Sequence, residues 1–178
     1  MRLFVALEVP GEALLAPSRS LPRFDGVRWL DPGSVHLTLR FIGDVSEEEF
    51  SVPLAALEGV RFERLRIEIY GTGFFPNRRR PSVFWAGARD ARGALSALKS
   101  AVDSALSPAI PPEKRDFVPH ITLARFKPRA TRRAIEAVSA AYDPPPPVSF
   151  DVGRFVLYSS ELLPDGAVHR PLLEVSST

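Results

Sequence analysis

Cysteine is absent from this 178-residue sequence. That excludes disulfides, thiolate nucleophiles, iron–sulfur clusters and cysteine-ligated zinc. No run of about 18 apolar residues occurs, so no membrane-spanning helix is expected. The N-terminal apolar stretch is short and Glu8 interrupts it, which does not fit a signal peptide. A cytoplasmic, monomeric protein with no membrane contact is expected. Lysine is also scarce: Lys99, Lys114 and Lys127 are the only lysines among 23 basic residues. The rest are arginine, whose fork suits phosphate and carboxylate better than an ammonium does. Codon bias and a phosphate-rich ligand both produce such an excess, and composition does not separate them. Histidine is rarer still, with only His36, His120 and His169.

What is present is ordinary for a soluble globular chain: 45% apolar and 25% charged residues. Arg2 to Val9 reads as a buried strand, Val35 to Ile42 as another, and Leu65 to Tyr70 as a half-buried strand broken by Gly71-Thr72-Gly73. Ser46 with Glu49 three residues on forms a capping box and predicts a helix start. Leu95, Leu98, Val102 and Leu106 recur at helical spacing after Asp90, and Thr131 to Ala141 predicts a further helix. Ser82 to Ala88, Phe117 to Phe126, Val148 to Tyr158 and Ala167 to Leu173 predict strands, with Pro164-Asp165-Gly166 a hairpin-like turn between the last two. The final residues are expected to fray. The sum is mixed α+β with about seven strands, and no linker divides it.

Two of the three histidines head the same pattern. Val35-His36-Leu37-Thr38-Leu39-Arg40-Phe41 and Pro119-His120-Ile121-Thr122-Leu123-Ala124-Arg125-Phe126 both read His-apolar-Thr-apolar. On composition alone, two such matches have a probability on the order of 0.0001. The copies lie about half a chain apart, so they form a weak internal repeat. Strand side chains alternate faces, so each strand presents an imidazole beside a hydroxyl and buries two aliphatics behind them. Imidazole titrates near neutrality, so a facing pair can act as acid and base. Threonine hydroxyls can hold anionic oxygens. The set needs neither metal nor covalent intermediate and suits opening a strained cyclic phosphate.

The sequence resembles the two-histidine (2H) phosphoesterase superfamily, in particular the RNA 2′,3′-cyclic phosphodiesterases historically called 2′-5′ RNA ligases. The resemblance runs nearly end to end. It includes Arg2-Leu3-Phe4-Val5-Ala6-Leu7, Arg28-Trp29, both histidine motifs, Gly71-Thr72-Gly73-Phe74-Phe75-Pro76, Val83-Phe84-Trp85-Ala86-Gly87 and Leu157-Tyr158-Ser159-Ser160. It implies two pseudo-twofold-related α+β lobes, each an antiparallel sheet with helices outside, within one bilobal domain over residues 1–178. Both motifs would face a central cleft. It further implies hydrolysis of RNA 2′,3′-cyclic phosphate ends to 2′-phosphates, with no metal and no cofactor. The partners would be RNA 3′ ends or nucleotides with a cyclic phosphate. His36 would be the general acid and His120 the general base. Thr38, Thr122 and Arg125 would contact substrate. Alternatives in the same cleft are 2′-5′ ligation or cleavage, hydrolysis of a small cyclic nucleotide, and RNA-end binding without catalysis.

Arg125 stands at an odd offset from His120, so a regular strand would turn it away from the cleft; a bulge near Ala124 would bring it back. Arg40 stands at an even offset from His36 and is expected to face the cleft as a second substrate-binding arginine. Two histidines without nearby carboxylates make a poor zinc site, and Asp116 is the single added candidate. His169 lacks the threonine partner and reads as a packing or surface residue. Arg78-Arg79-Arg80 reads equally as a solvated basic loop or an RNA contact. Trp29, Trp85, Phe74 and Phe75 read as core, although one aromatic could stack a base.

Overall fold

The computed structural model describes residues 1–163 and 166–178, and the predicted turn at Pro164 and Asp165 lies outside them. The elements in chain order are β1 (Arg2–Glu8), α1 (Gly11–Leu15), β2 (Val27–Trp29), β3 (His36–Asp44), α2 (Ser51–Glu58), β4 (Leu65–Phe75), β5 (Val83–Arg89), α3 (Ala94–Leu106), β6 (His120–Phe126), α4 (Arg132–Ala141), β7 (Ser149–Val152), β8 (Arg154–Leu163) and β9 (Gly166–Ser176). The fold is α+β. Its strands form one antiparallel sheet in the order β7-β4-β5-β6-β3-β1-β8-β9, with β2 beside β6.

The sheet has two halves, β9-β8-β1-β3 and β7-β4-β5-β6 with β2 added beside β6, that meet where β3 pairs with β6 at Leu37↔Ile121. The chain builds part of one half with β1 and β3 and then builds the other. It returns to the first half with β8 and β9. This is why the segment expected as one strand from Val148 to Tyr158 is two. It breaks at Gly153, between β7 in one half and β8 in the other.

One face of the sheet is apolar. Leu37, Leu39, Ile121, Leu123, Phe84 and Ala86 are buried there with the inward stripe of α3 (Leu95, Leu98, Val102, Leu106) and with Ile135 and Val138 of α4. Burying side chains of this size stabilises by roughly 1.5–3 kcal/mol each. Thr131 caps α4 by accepting a hydrogen bond from the Ala134 amide at 3.2 Å. The Asp90 carboxylate accepts from the Ala94 and Leu95 amides, so it caps α3 from a distance across a short loop.

Several local expectations differ from the structure. Ser46 and Glu49 do bond to each other, but they close a turn, and α2 starts later, at Ser51. Pro53 then falls in the first turn, where its missing N–H costs no helical bond. β4 does not stop at Tyr70. A bulge around Gly71, at φ 53°, lets it run on to Phe75. The C-terminus is tied down, with the Ser177 amide on Gly153 O and the Thr178 amide on Phe62 O.

Candidate active site

The pairing Leu37↔Ile121 sets the site. Carried one residue either way, an antiparallel register puts His36 beside Thr122 and Thr38 beside His120, all on the face opposite the helices. Two imidazoles and two hydroxyls thus form a local twofold at the centre of the sheet.

Each imidazole is held in the same way. His36 Nδ1 lies 2.8 Å from Ser34 O, and His120 Nδ1 lies 2.7 Å from Val118 O. A carbonyl only accepts, so Nδ1–H donates in both rings and the proton that can change is on Nε2. Backbone two residues upstream therefore fixes tautomer and ring orientation together.

The repeat continues into the backbone. Val5 pairs with Arg40 and Ala6 with Thr38, leaving Leu39 as an extra residue; Phe84 pairs with Ala124 and Trp85 with Thr122, leaving Leu123 as the extra one. Both strands bulge at the third residue after the histidine. A bulge reverses the alternation of faces beyond it. Arg125 therefore returns to the cleft side and is exposed, and Ala124 is fully buried.

The same bulge overturns the expectation for Arg40. It is turned to the opposite face, is 2% exposed, and its guanidinium lies 3.4 Å from Asp103 and 3.7 Å from Glu113. It also donates to Pro111 O. Lys99 completes the cluster, with Nζ 2.6 Å from Asp103 and 3.2 Å from Glu113. Arg40 is a buried strut between β3, α3 and the loop before β6, and Phe41 takes the cleft position expected for it.

The surroundings of the two histidines differ. His36 packs against Phe4 at 4.9 Å and edge-on against His169 at 5.2 Å between ring centres. A pocket of about 370 Å³ opens here, lined by Phe4, Glu8, Ser34, His36, Tyr158 and His169 among others. Burial pushes the His36 pKa down from 6.5 to about 4, against the pull of the Ser34 carbonyl, and the charges of His169, Arg125 and His120 add to the fall. His169 is lowered too, first by burial and then by Arg125, and its Nδ1 is buried without a partner among the described residues. His120 instead meets Phe75 edge-on at 4.9 Å and Trp85 at 6.1 Å.

The third histidine is thus a cleft residue, which its sequence context did not reveal. It reaches the cleft because β8 pairs with the distant β1 at Phe4↔Tyr158 and carries its hairpin partner β9 with it, at Ser160↔His169. The aromatics divide by face. Trp29 stacks on Tyr142 at 5.7 Å in the core, and Phe74 packs on Phe84, whereas Phe75 and Trp85 line the cleft. Among the described residues no three His, Cys, Asp or Glu side chains gather into a metal-ligating group. Among the described residues no helix is long and apolar enough to cross a membrane.

Comparison with known proteins gives the family and the fold. Residues 19–162 match the family described as the 2′-5′ RNA ligase superfamily. A Thermus thermophilus protein named RNA 2′,3′-cyclic phosphodiesterase is 37% identical, covering 99% of this chain and 90% of its own length. An Aeropyrum pernix protein of the same name is 35% identical over 85% of this chain and 86% of its own. Among solved structures, TT0787 of Thermus thermophilus superposes with a TM-score of 0.78 at 34% identity, covering 99% of this chain and 97% of its own. E. coli LigT, complexed with 3′-AMP, gives 0.76 at 26% identity, covering 99% and 98%. With the family match spanning most of its length and its fold shared with these structures, the chain belongs to the 2′-5′ RNA ligase superfamily.

Proposed function

We propose that the chain hydrolyses RNA 2′,3′-cyclic phosphate ends to 2′-phosphates by metal-independent acid–base catalysis between His36 and His120. The observation that carries this is the β3–β6 pair Leu37↔Ile121, whose register sets His36 beside Thr122 and Thr38 beside His120, with both Nδ1 atoms committed to carbonyls. The names of the relatives, RNA 2′,3′-cyclic phosphodiesterase, support the substrate class.

In this reading His120 Nε2 removes a proton from water as its oxygen bonds to phosphorus. The P–O3′ bond breaks, and His36 Nε2–H delivers a proton to the departing O3′. The ring ends as a free 3′-hydroxyl beside a 2′-phosphate, and solvent restores the two imidazoles. Thr38, Thr122 and Arg125 hold the non-bridging oxygens, where charge grows in the transition state. His36 is neutral at pH 7 in the free protein. The cyclic phosphate brings a negative charge to its Nε2, and that charge favours the imidazolium. The acid is therefore made ready by the substrate. Residues 1–178 act as one bilobal unit, because a site with one motif from each half needs both.

The test is incubation of an RNA with a 2′,3′-cyclic end, in the presence of EDTA, followed by identification of the product. A 2′-phosphate is expected. A 3′-phosphate would reverse the acid and base, and loss of activity restored by a divalent metal would replace the mechanism.

A further inference from the structure

We infer that the loop between β4 and β5, with Arg78, Arg79 and Arg80, is a binding surface for the phosphodiester backbone of the RNA strand upstream of its cyclic end. This rests on the proposed function and goes beyond it, because the chemistry itself needs only the terminal nucleotide.

Three observations carry the inference. The first is position. The loop leaves β4 directly after Phe75, whose ring lies 4.9 Å from that of His120. It re-enters the sheet through Ser82, whose amide donates to Phe75 O at 2.7 Å. Ser82 O accepts from the Phe126 amide at 3.0 Å, which places the loop beside the end of β6 that bears Arg125. The second is charge. Many arginines here are neutralised: Arg2, Arg19, Arg40, Arg66, Arg89 and Arg154, for example, each pair with an acid. Arg78, Arg79, Arg80 and Arg125 form no ion pair among the described residues. Residues 69–89 and 117–135 contain no Asp or Glu at all. These two stretches are neighbours in the sheet, because they hold β5, β6 and most of β4. The opposite half sets Glu8, Asp44, Glu161 and Glu174 along its strands.

The third observation is local order. The Asn77 Oδ1 accepts from the Arg79 amide at 3.0 Å and the Arg80 amide at 3.2 Å. This Asx turn shapes the loop without using any guanidinium. Arg78 is placed over the Phe74 ring at 6.0 Å. The three arginines are exposed and their guanidinium groups are free to meet phosphates. A strand whose 3′ end sits between His36 and His120 can leave only in the 5′ direction. On this side the carboxylate beside the end of β6, Asp25, is already paired with Arg129, so the strand's phosphates meet cations with no ion-pair partner of their own.

The experiment compares cytidine 2′,3′-cyclic monophosphate with an octaribonucleotide bearing the same cyclic end. The proteins are wild type and the triple variant Arg78→Gln, Arg79→Gln, Arg80→Gln. The mononucleotide has no upstream phosphate, so its kcat/KM is expected to be the same in both proteins. The wild type is expected to use the octamer with a kcat/KM at least about 10-fold higher at low salt. The variant is expected to lose that advantage through KM, with kcat kept. Its log–log salt dependence for the octamer should be shallower by about 2, from three cations at about 0.7 each. Equal use of octamer and monomer by the wild type, or an unchanged octamer KM and salt slope in the variant, overturns the inference. Anisotropy of a labelled octamer ending in a 3′-phosphate separates this from the chemistry. If that octamer binds the wild type about 10-fold or more tightly than the variant while neither cyclic substrate turns over, the proposed reaction fails and the strand surface stands.

Discussion

The two halves of the sheet carry the same chemistry in different surroundings. Each brings a histidine and a threonine to the midline, anchors the imidazole on a carbonyl two residues upstream, and bulges at the next leucine. The partners across the neighbouring strands diverge. Glu8 stands opposite His36 and Gly87 opposite His120; Ala6 stands opposite Thr38 and Trp85 opposite Thr122. After the bulge the cleft position is Phe41 in one half and Arg125 in the other. Both halves set aromatics beside their imidazole; the His36 half adds Phe41 and His169 and buries its imidazole, whereas the His120 half adds the exposed Arg125. Acid–base work on one phosphate benefits from near-symmetry, whereas a nucleotide has an anionic side and a stacking side. The difference between the halves fits the asymmetry of such a ligand.

The comparison breaks most severely at the shared residues. His36→Ala and His120→Ala should each lower turnover of a cyclic-ended RNA by about 100-fold or more, the scale of general acid–base catalysis. Steady-state kinetics on each variant checks this, and a variant near wild-type rate would remove that histidine from the reaction. Next in size is Arg40→Ala. It removes one of the two cations held against Asp103 and Glu113, leaving Lys99, and should cost about 1–3 kcal/mol of stability, read from denaturant unfolding. The kcat per folded molecule should hold, whereas a substrate-binding Arg40 would show the reverse.

Exchanging the residues after the bulge sharpens the contrast between the halves. Arg125→Phe gives the His120 half the residue of the His36 half. It should lower kcat/KM by about 10- to 100-fold, as expected for loss of one or two charge-assisted hydrogen bonds, with little change in melting temperature. Phe41→Ala, at a position 57% exposed, should change kcat/KM by less than about 3-fold if phosphate contacts reside in the other half.

The last contrast is in pH. Folding lowers the His36 pKa from 6.5 to about 4, so the unfolded chain takes up the proton first. The contribution of neutral His36 is complete above about pH 6.5 and is lost as pH falls toward 4, by at most about 3 kcal/mol. Unfolding measured across this window should lose that slope in His36→Gln. Because His36 must be protonated to act as the acid, the same group should set the descending limb of kcat/KM, which reports the free protein and should fall as pH rises above about 4. The limb should stand higher in kcat, where the bound phosphate favours the imidazolium.

Much of this site is local and therefore readable along the chain. The His-apolar-Thr-apolar repeat needs only period-two alternation, and the α3 stripe needs only helical spacing. What sequence reading misses depends on pairing between distant segments. The bulge that sequence reading required near Ala124 for Arg125 forms at Leu123, whereas its counterpart at Leu39, which exchanges the expected faces of Arg40 and Phe41, is marked by nothing in the local composition. His169 and Glu8 enter the site through the β1–β8 and β1–β3 registers, at separations that no local pattern spans. Ser46 shows the opposite error. Its capping bonds form as expected, but the helix does not follow them.

The claim that the two histidines act as one unit across the midline is tested most directly by a double-variant cycle. Hydrolysis of a cyclic-ended RNA in EDTA is measured for wild type, His36→Ala, His120→Ala and the double variant. Groups that act together lose their joint effect with the first removal. The double variant should therefore be about as slow as the slower single one, with the product of the wild type a 2′-phosphate. Losses that multiply in the double variant would show that the histidines act independently and would contradict the account.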